Sequence, residues 1–434
     1  MKIWDKGYSI NQKIEDFTIG KDRIYDVYLA AYDTIASKAH KNMLLKAGLI
    51  TEEEADDLEI ALNDFYEETQ KGDFLIEDEF EDIHSKIESF LIEKCGDAGK
   101  KIHTARSRND QVLTAIQLFL KDYLTKVTHK TIELIEIFQA KGKEFENNLL
   151  PGYTHFQAAM PSSFGLWFLA YAENLLLNLS YLETAYHFAD QNPLGSAAGF
   201  GTSFPIDREQ TTQELGFNNL LISSVSAQIL RGNTEKATAN AVSALASVIS
   251  KMANDLVMYN SQDLGFVELP KEMTTGSSIM PHKKNPDVFE LTRAQCNKIQ
   301  GVPNNLTLMI NNLPSGYHRD YQILKEVLFE PLIQFIDILD IMIFAIPQIK
   351  IKEDYMNQEK FDLIYTVETI NQLIKDGTPF RDAYKKVGMD VDAKKYQPTK
   401  NFKTTHIGSV HNPGFDLFEE KKIKFKQNSK ILGN

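Results

Sequence analysis

The stretch Gly276–Pro286, GSSIMPHKKNP, sets two adjacent hydroxyls, two lysines and an asparagine between a glycine and a proline. Mobility, positive charge and hydrogen-bond donors coincide there. That combination suits a loop that closes over an anionic substrate and carries a nucleophile or base with it. Three other stretches hold groups of the same kind. Arg106, Ser107, Arg108, Asn109 and Asp110 form a polar knot ahead of a long apolar-periodic segment. Arginines clamp carboxylates there and a helix start adds a favourable dipole; Asp110 reads as structural. His155, in the run GYTH with Thr154, is a proton-handling group beside a carboxylate-binding hydroxyl. In LPSGYHRDYQILKE (Leu313–Glu326), Gln322 and Lys325 are three apart and share a helix face near Tyr317.

These motifs resemble the fumarase/aspartase superfamily, whose members eliminate fumarate from succinyl compounds. The loop at 276–286 is similar to its signature. HTARSRNDQ (His103–Gln111), GYTHFQAAMP (Gly152–Pro161), NPLGSAAGFGTSFPIDRE (Asn192–Glu209), LPSGYHRDYQILKE and FRDAYKKVG (Phe380–Gly388) are similar to its argininosuccinate-cleaving branch. The resemblance runs from about Lys2 to about Gly414. It implies β-elimination of L-argininosuccinate to fumarate and L-arginine, the last step of arginine biosynthesis. It implies no metal or organic cofactor, and a homotetramer with active sites built from three subunits.

The reaction needs a base, a means of holding extra negative charge and a means of neutralising the departing nitrogen. The resemblance assigns the base to Ser277. A serine is too weak an acid for this unless its anion is stabilised; Lys283 and the backbone N–H groups of the Gly276-Ser277-Ser278 turn are the candidates. The alternative is that Ser277 and Ser278 only bind a carboxylate. The resemblance pairs His155 with Glu290, which follows the loop, and a carboxylate behind an imidazole favours its charged form. Lys283 and Asn285 supply donors to an aci-carboxylate. Arg106, Ser107, Arg108, Asn109 and Thr154 are expected to bind substrate, and the resemblance implies that Tyr317, Gln322 and Lys325 hold its amino-acid end. Two places depart from the family pattern. FTIGKDRIYD (Phe17–Asp26) lacks the usual substrate-contacting serine, leaving a backbone group or Thr18 for that task. SSVSAQILRG (Ser223–Gly232) lacks a Ser-x-Arg-Asp sequence, and Arg231 is the residue within reach to replace its arginine.

Composition limits the alternatives. With 47 basic and 60 acidic residues the net charge is -13, which argues against nucleic-acid binding. A multi-carboxylate substrate therefore needs a local cationic pocket against the global field. Among apolar runs the longest candidate, Ile336–Ile346, is short and interrupted by Asp337 and Asp340, so no membrane span is expected. The start, MKIWDKGYS, has no apolar leader core. Two cysteines, Cys95 and Cys296, fit a reducing compartment, and a cytoplasmic location is expected. Rival readings are a lyase acting on adenylosuccinate or aspartate, and a non-enzymatic structural protein on the same scaffold.

The elements that must position these groups are helical. Apolar residues recur every three or four positions over Val112–Phe138. Leu166–Tyr186 is apolar on several faces, and Ala237–Tyr259, Val288–Leu313 and Tyr321–Ile346 read as further long helices. Pro303 predicts a break and Pro347 a stop. Capping patterns start helices at Thr51, Asp207 and Thr378, with Gly216 and Gly388 as stops. The expected architecture is all-α, with a small helical domain at 1–105, a central long-helix bundle at 106–352 that assembles into a tetrameric core, and a small helical domain at 353–434. The basic stretch Lys421–Lys430 is expected to be solvated charge.

Overall fold

The computed structural model describes residues 11–433; the leader-free reading of the first residues lies outside them. The chain is mainly α-helical, as expected. The periodic segment at 112–138 is the middle of one helix, Arg108–Glu144, of 37 residues, about 55 Å long at ~1.5 Å per residue. Leu113, Ile116, Leu120, Leu124 and Val127 are buried along its first part, and Leu134, Ile135 and Phe138 along its second. Further long helices span Phe164–Ala189, Asn233–Tyr259 and Leu324–Ala345. Asn233–Tyr259 exceeds the apolar run expected: by length and composition it would cross a membrane, but half of its most apolar window is buried in the fold, as in a core helix.

The expected break occurs between helices Asp287–Ile299 and Val302–Ile310. Pro303 sits in the first turn of the second, where its missing N–H has no intrahelical acceptor anyway. Thr51 and Glu54 form the expected capping box, and Asp207 accepts from the Gln210 N–H. Gly388 does not stop its helix, which runs Phe380–Asp392. Its backbone is not in the left-handed region that a C-terminal glycine adopts, and the buried Ala383 and Val387 hold that helix by packing.

The chain forms two compact units. One comprises residues 1–128, 180–244 and 299–335. The other comprises residues 129–179, 245–298 and 336–434. In the first, Leu44, Leu58, Leu62, Phe65, Ile83 and Leu91 centre a core of short helices. In the second, Trp167, Tyr259 and Phe266 cluster with tilted rings, while Trp167 Nε1 and Tyr171 OH both donate to Asp255 at 2.9 and 2.7 Å. The basic stretch there is not simply solvated. It lies in helix Phe415–Asn428, where buried Lys422 donates to Gln139 Oε1 at 2.7 Å and Lys421 pairs with Glu173 at 2.7 Å. Both cysteines are free thiols.

Candidate active site

The candidate residues divide between the two units. In the first, the polar knot is a helix start. Ser107 Oγ accepts from the Asn109 N–H at 3.2 Å, and Asp110 Oδ1 accepts from the Ser107 N–H at 2.9 Å. Asp110 Oδ2 also accepts from the Gly195 and Ala197 N–H groups at 3.0 and 2.8 Å, fixing the glycine-rich loop to the helix. Burial pushes the Asp110 carboxyl up to about 6, although these hydrogen bonds and Arg106 oppose the rise. Ala105, with φ 62°, turns the chain into the knot. Arg106 is buried and donates to Ser37 Oγ at 2.9 Å. His103, just upstream, is depressed to about 4, first by burial and then by Arg106 and Arg108.

Arg108 and Asn109 line a cleft of about 250 Å³ that Tyr317, Gln322 and Lys325 also line. Of the sequence-predicted grip residues of this unit these five share the cleft, whereas Arg106 and Ser107 are not in its lining. Gln322 and Lys325 do not share one α-helix: Gln322 is in the 3₁₀ turn Arg319–Ile323, and Lys325 is in helix Leu324–Ala345. Gln322 Nε2 donates to the carbonyls of Thr18 and Ile19, both at 2.9 Å, so backbone of the serine-less segment enters the cleft wall. Lys325 is buried between Asp22, at 2.8 Å, and Asp26. Burial alone would lower its ammonium; Asp26 and Asp22 more than offset this and hold it well above its ordinary value. Burial raises Asp22 in turn, against the pull of Lys325.

The cleft is more acidic than the sequence suggested. Glu15, Asp22, Asp26, Glu81 and Asp82 line it against Arg108, Arg231, Arg319 and Lys325. Arg108 Nη1 donates to Glu81 at 2.9 Å and Asp82 at 3.1 Å. His84, also in the lining, meets Asp33 at 2.7 Å; burial opposes its charge, but Asp33 prevails and raises it. Sequence reasoning missed this acidic wall. The available signal was Asp22 and Asp26, one helical turn apart beside the departure from the family pattern.

The second unit holds the residues that the sequence marks as candidates for the chemistry. Strands Leu149–Thr154 and Gln157–Ser163 pair antiparallel, with a bulge at Gly152/Tyr153. His155 and Phe156 make the two-residue turn, with φ 54° and 58°. Left-handed geometry at both positions is that of a type I′ turn, whose twist matches a hairpin. His155 is therefore presented, exposed, at a hairpin tip, with Thr154 beside it.

The 276–286 loop is closed at its base. Thr275 and Asn285 bridge antiparallel, the Asn285 N–H donating at 2.9 Å and the Thr275 N–H at 3.3 Å. The Thr275 hydroxyl bonds to Asp287, the first residue of helix Asp287–Ile299. Within the loop, Ser277 Oγ accepts from the backbone N–H groups of Met280 at 3.2 Å and Ile279 at 3.4 Å. Backbone stabilisation of that oxygen is present, but from the residues after the turn rather than from Gly276-Ser277-Ser278. The Lys283 and Lys284 side chains are exposed. Among the described residues no hydrogen bond joins Lys283 Nζ to Ser277, or His155 to Glu290. Glu290 lies 3.9 Å from Arg293.

A family model described as Lyase matches residues 12–301. Solved structures share the fold. One is EDDS lyase in complex with formate, with TM-score 0.77, 19% identity, and coverage of 98% of this chain and 94% of the other. Another is the class II fumarase of Schistosoma mansoni, with TM-score 0.75, 16% identity, and coverage of 96% and 94%. Fold and family match together make this chain a lyase of the fumarase/aspartase class. Argininosuccinate lyase from Bacteroides fragilis is 48% identical over 95% of this chain and 92% of that protein. The enzyme of that name from Thermotoga neapolitana is 39% identical over 92% of this chain and 99% of that protein. Within its class, the chain belongs to the argininosuccinate lyase family.

Proposed function

We propose that this protein converts L-argininosuccinate to fumarate and L-arginine, in arginine biosynthesis. The observation that carries the proposal is the 48% identity over 95% of the chain, supported by the convergence of Asn109, Tyr317 and Gln322 on one cleft.

The chemistry follows from the groups. Ser277, as an alkoxide held by the Ile279 and Met280 N–H groups, takes the proton from the carbon next to a succinyl carboxylate. Two backbone donors already aimed at the oxygen need little rearrangement when charge appears there. The electron pair moves into that carboxylate, and Lys283 and Asn285 donate to the resulting aci-form. It then forms the carbon–carbon double bond as the carbon–nitrogen bond breaks. His155, with Glu290, gives the departing nitrogen its proton. Arg106, Ser107, Arg108, Asn109 and Thr154 bind the substrate's carboxylates, and Tyr317, Gln322 and Lys325 line the region for its amino-acid end.

We also infer a homotetramer with shared active sites. Large apolar side chains stand exposed on the long helices, among them Tyr181 at 54% and Phe344 at 60%, and such exposure suits burial against further copies. The division at residues 105 and 352 is retained for the domains, and a cytoplasmic location is proposed. The deciding experiment offers argininosuccinate, adenylosuccinate and aspartate separately and follows fumarate absorbance. Greatest turnover on argininosuccinate is expected; greatest turnover on either other substrate overturns the proposal.

A further inference from the structure

Among the described residues, four arginine and lysine side chains line the cleft of the first unit, and three are hydrogen-bonded to protein oxygens. Lys325 lies between Asp22 and Asp26, Arg108 donates to Glu81 and Asp82, and the exposed Arg319 donates to the Thr18 carbonyl at 2.9 Å. Arg231 differs. It is 3% exposed, and neither Nε nor Nη1 has a hydrogen-bond partner. The neighbouring carboxylate, Glu235, has Oε1 3.8 Å from Nε, beyond hydrogen-bond reach, and that oxygen is itself unpartnered. Glu235 Oε2 is occupied by the Gly232 N–H at 2.8 Å.

Glu235 therefore pairs with Arg231 by charge alone, and aromatic rings also hold the guanidinium. Its Cζ lies 5.2 Å from the Tyr321 ring centroid and 5.8 Å from that of Tyr317. A planar cation against ring faces keeps its orientation while its edge N–H groups stay open. The backbone beside it is also fixed. Gly232 has φ 83°, and a Cβ there would meet Ile310 Cγ2 at 2.5 Å. A buried guanidinium with open N–H groups is unfavourable alone and strongly favourable once a carboxylate meets it.

We propose that Arg231 binds the α-carboxylate of the substrate's amino-acid end. This rests on the function proposed above. Lys325 is poorly placed for that task, because its ammonium already serves two carboxylates and a third would enter a net negative site. Arg231 shares the cleft with Tyr317 and Gln322 and offers the flat donor edge that a carboxylate fits. The acidic wall around Asp22 then suits the α-ammonium of the same amino acid.

The test measures calorimetric binding of L-arginine, and of agmatine, which is arginine without its α-carboxylate, to the intact protein. The wild type should prefer arginine. R231Q should bind arginine about tenfold to a hundredfold more weakly, with agmatine affinity little changed. An equal loss for both ligands, or a loss for neither, overturns the assignment. R231K keeps the charge without the fork and should show the same selective loss, smaller in size; it decides the matter should R231Q fail to fold, and unchanged discrimination there also overturns it. A wild type that releases fumarate from argininosuccinate while R231Q still prefers arginine rejects this assignment alone. A wild type that releases none rejects the proposed function and this assignment with it.

Discussion

The cleft of the first unit and the loops of the second solve opposite problems. In the cleft, charges are buried and held by other charges: Lys325 by Asp22 and Asp26, Arg108 by Glu81 and Asp82, His84 by Asp33. In the loops, His155 and Lys283 are exposed and half-buried Ser277 is held only by backbone donors. Position in the cleft comes from ion pairs that resist rearrangement. Position in the loops comes from backbone pairing at their bases, and the tips are exposed. Fixed bases with exposed tips are the arrangement that closing loops require.

That contrast can be broken from either side. The largest effect is expected from Ser277→Ala. Turnover should fall by about a thousandfold or more, while calorimetric binding of argininosuccinate persists; unchanged turnover removes Ser277 from the chemistry. Lys325→Met should instead damage the fold. It leaves Asp22 and Asp26 buried without their cation and should cost about 3–5 kcal/mol in urea unfolding. A cost below about 1 kcal/mol would show that the cleft does not depend on that ion pair.

His103 gives a smaller, pH-dependent effect. Its folded value, about 4, lies below its ordinary value of 6.5. The unfolded chain therefore binds more protons between those values, and stability falls as pH drops from 6.5 toward 4. The contribution is about 2 kcal/mol after allowance for the ring's partial exposure. His103→Asn should flatten that part of the profile, and an identical slope in both proteins would reject the cause given. The smallest effect belongs to the hairpin. Phe156→Gly relieves a left-handed residue that is 80% exposed. Relief of about 1 kcal/mol is opposed by a similar entropy cost in the unfolded chain, so the unfolding midpoint should move little. A large fall would show that Phe156 is packed in solution.

The long helices were legible because their apolar residues repeat at helical spacing over many turns. The candidate site residues could be named because the motifs are dense, and their roles belong to the proposed function. Other features were hidden for physical reasons. The hairpin at 149–163 lacks clear alternation, and its I′ turn is made by His155 and Phe156 rather than by Asn and Gly. Lys325 reads as an available cation because nothing local reveals carboxylates near residue 22. Gly388 reads as a stop because sequence marks the residue and not its φ. Arg231 was visible only as a departure from the family pattern; its open edge required the positions of Tyr317, Tyr321 and Glu235.

The bridge between Thr275 and Asn285 has a thermodynamic consequence. By pinning both ends, it restricts the conformational freedom that remains to be lost to residues 276–284. Ordering a short tethered ring costs less entropy than ordering an open strand of the same composition. More of the affinity gained on substrate contact is then left to tighten the reacting geometry. Weakening that clasp should therefore raise KM before it alters any atom that reacts.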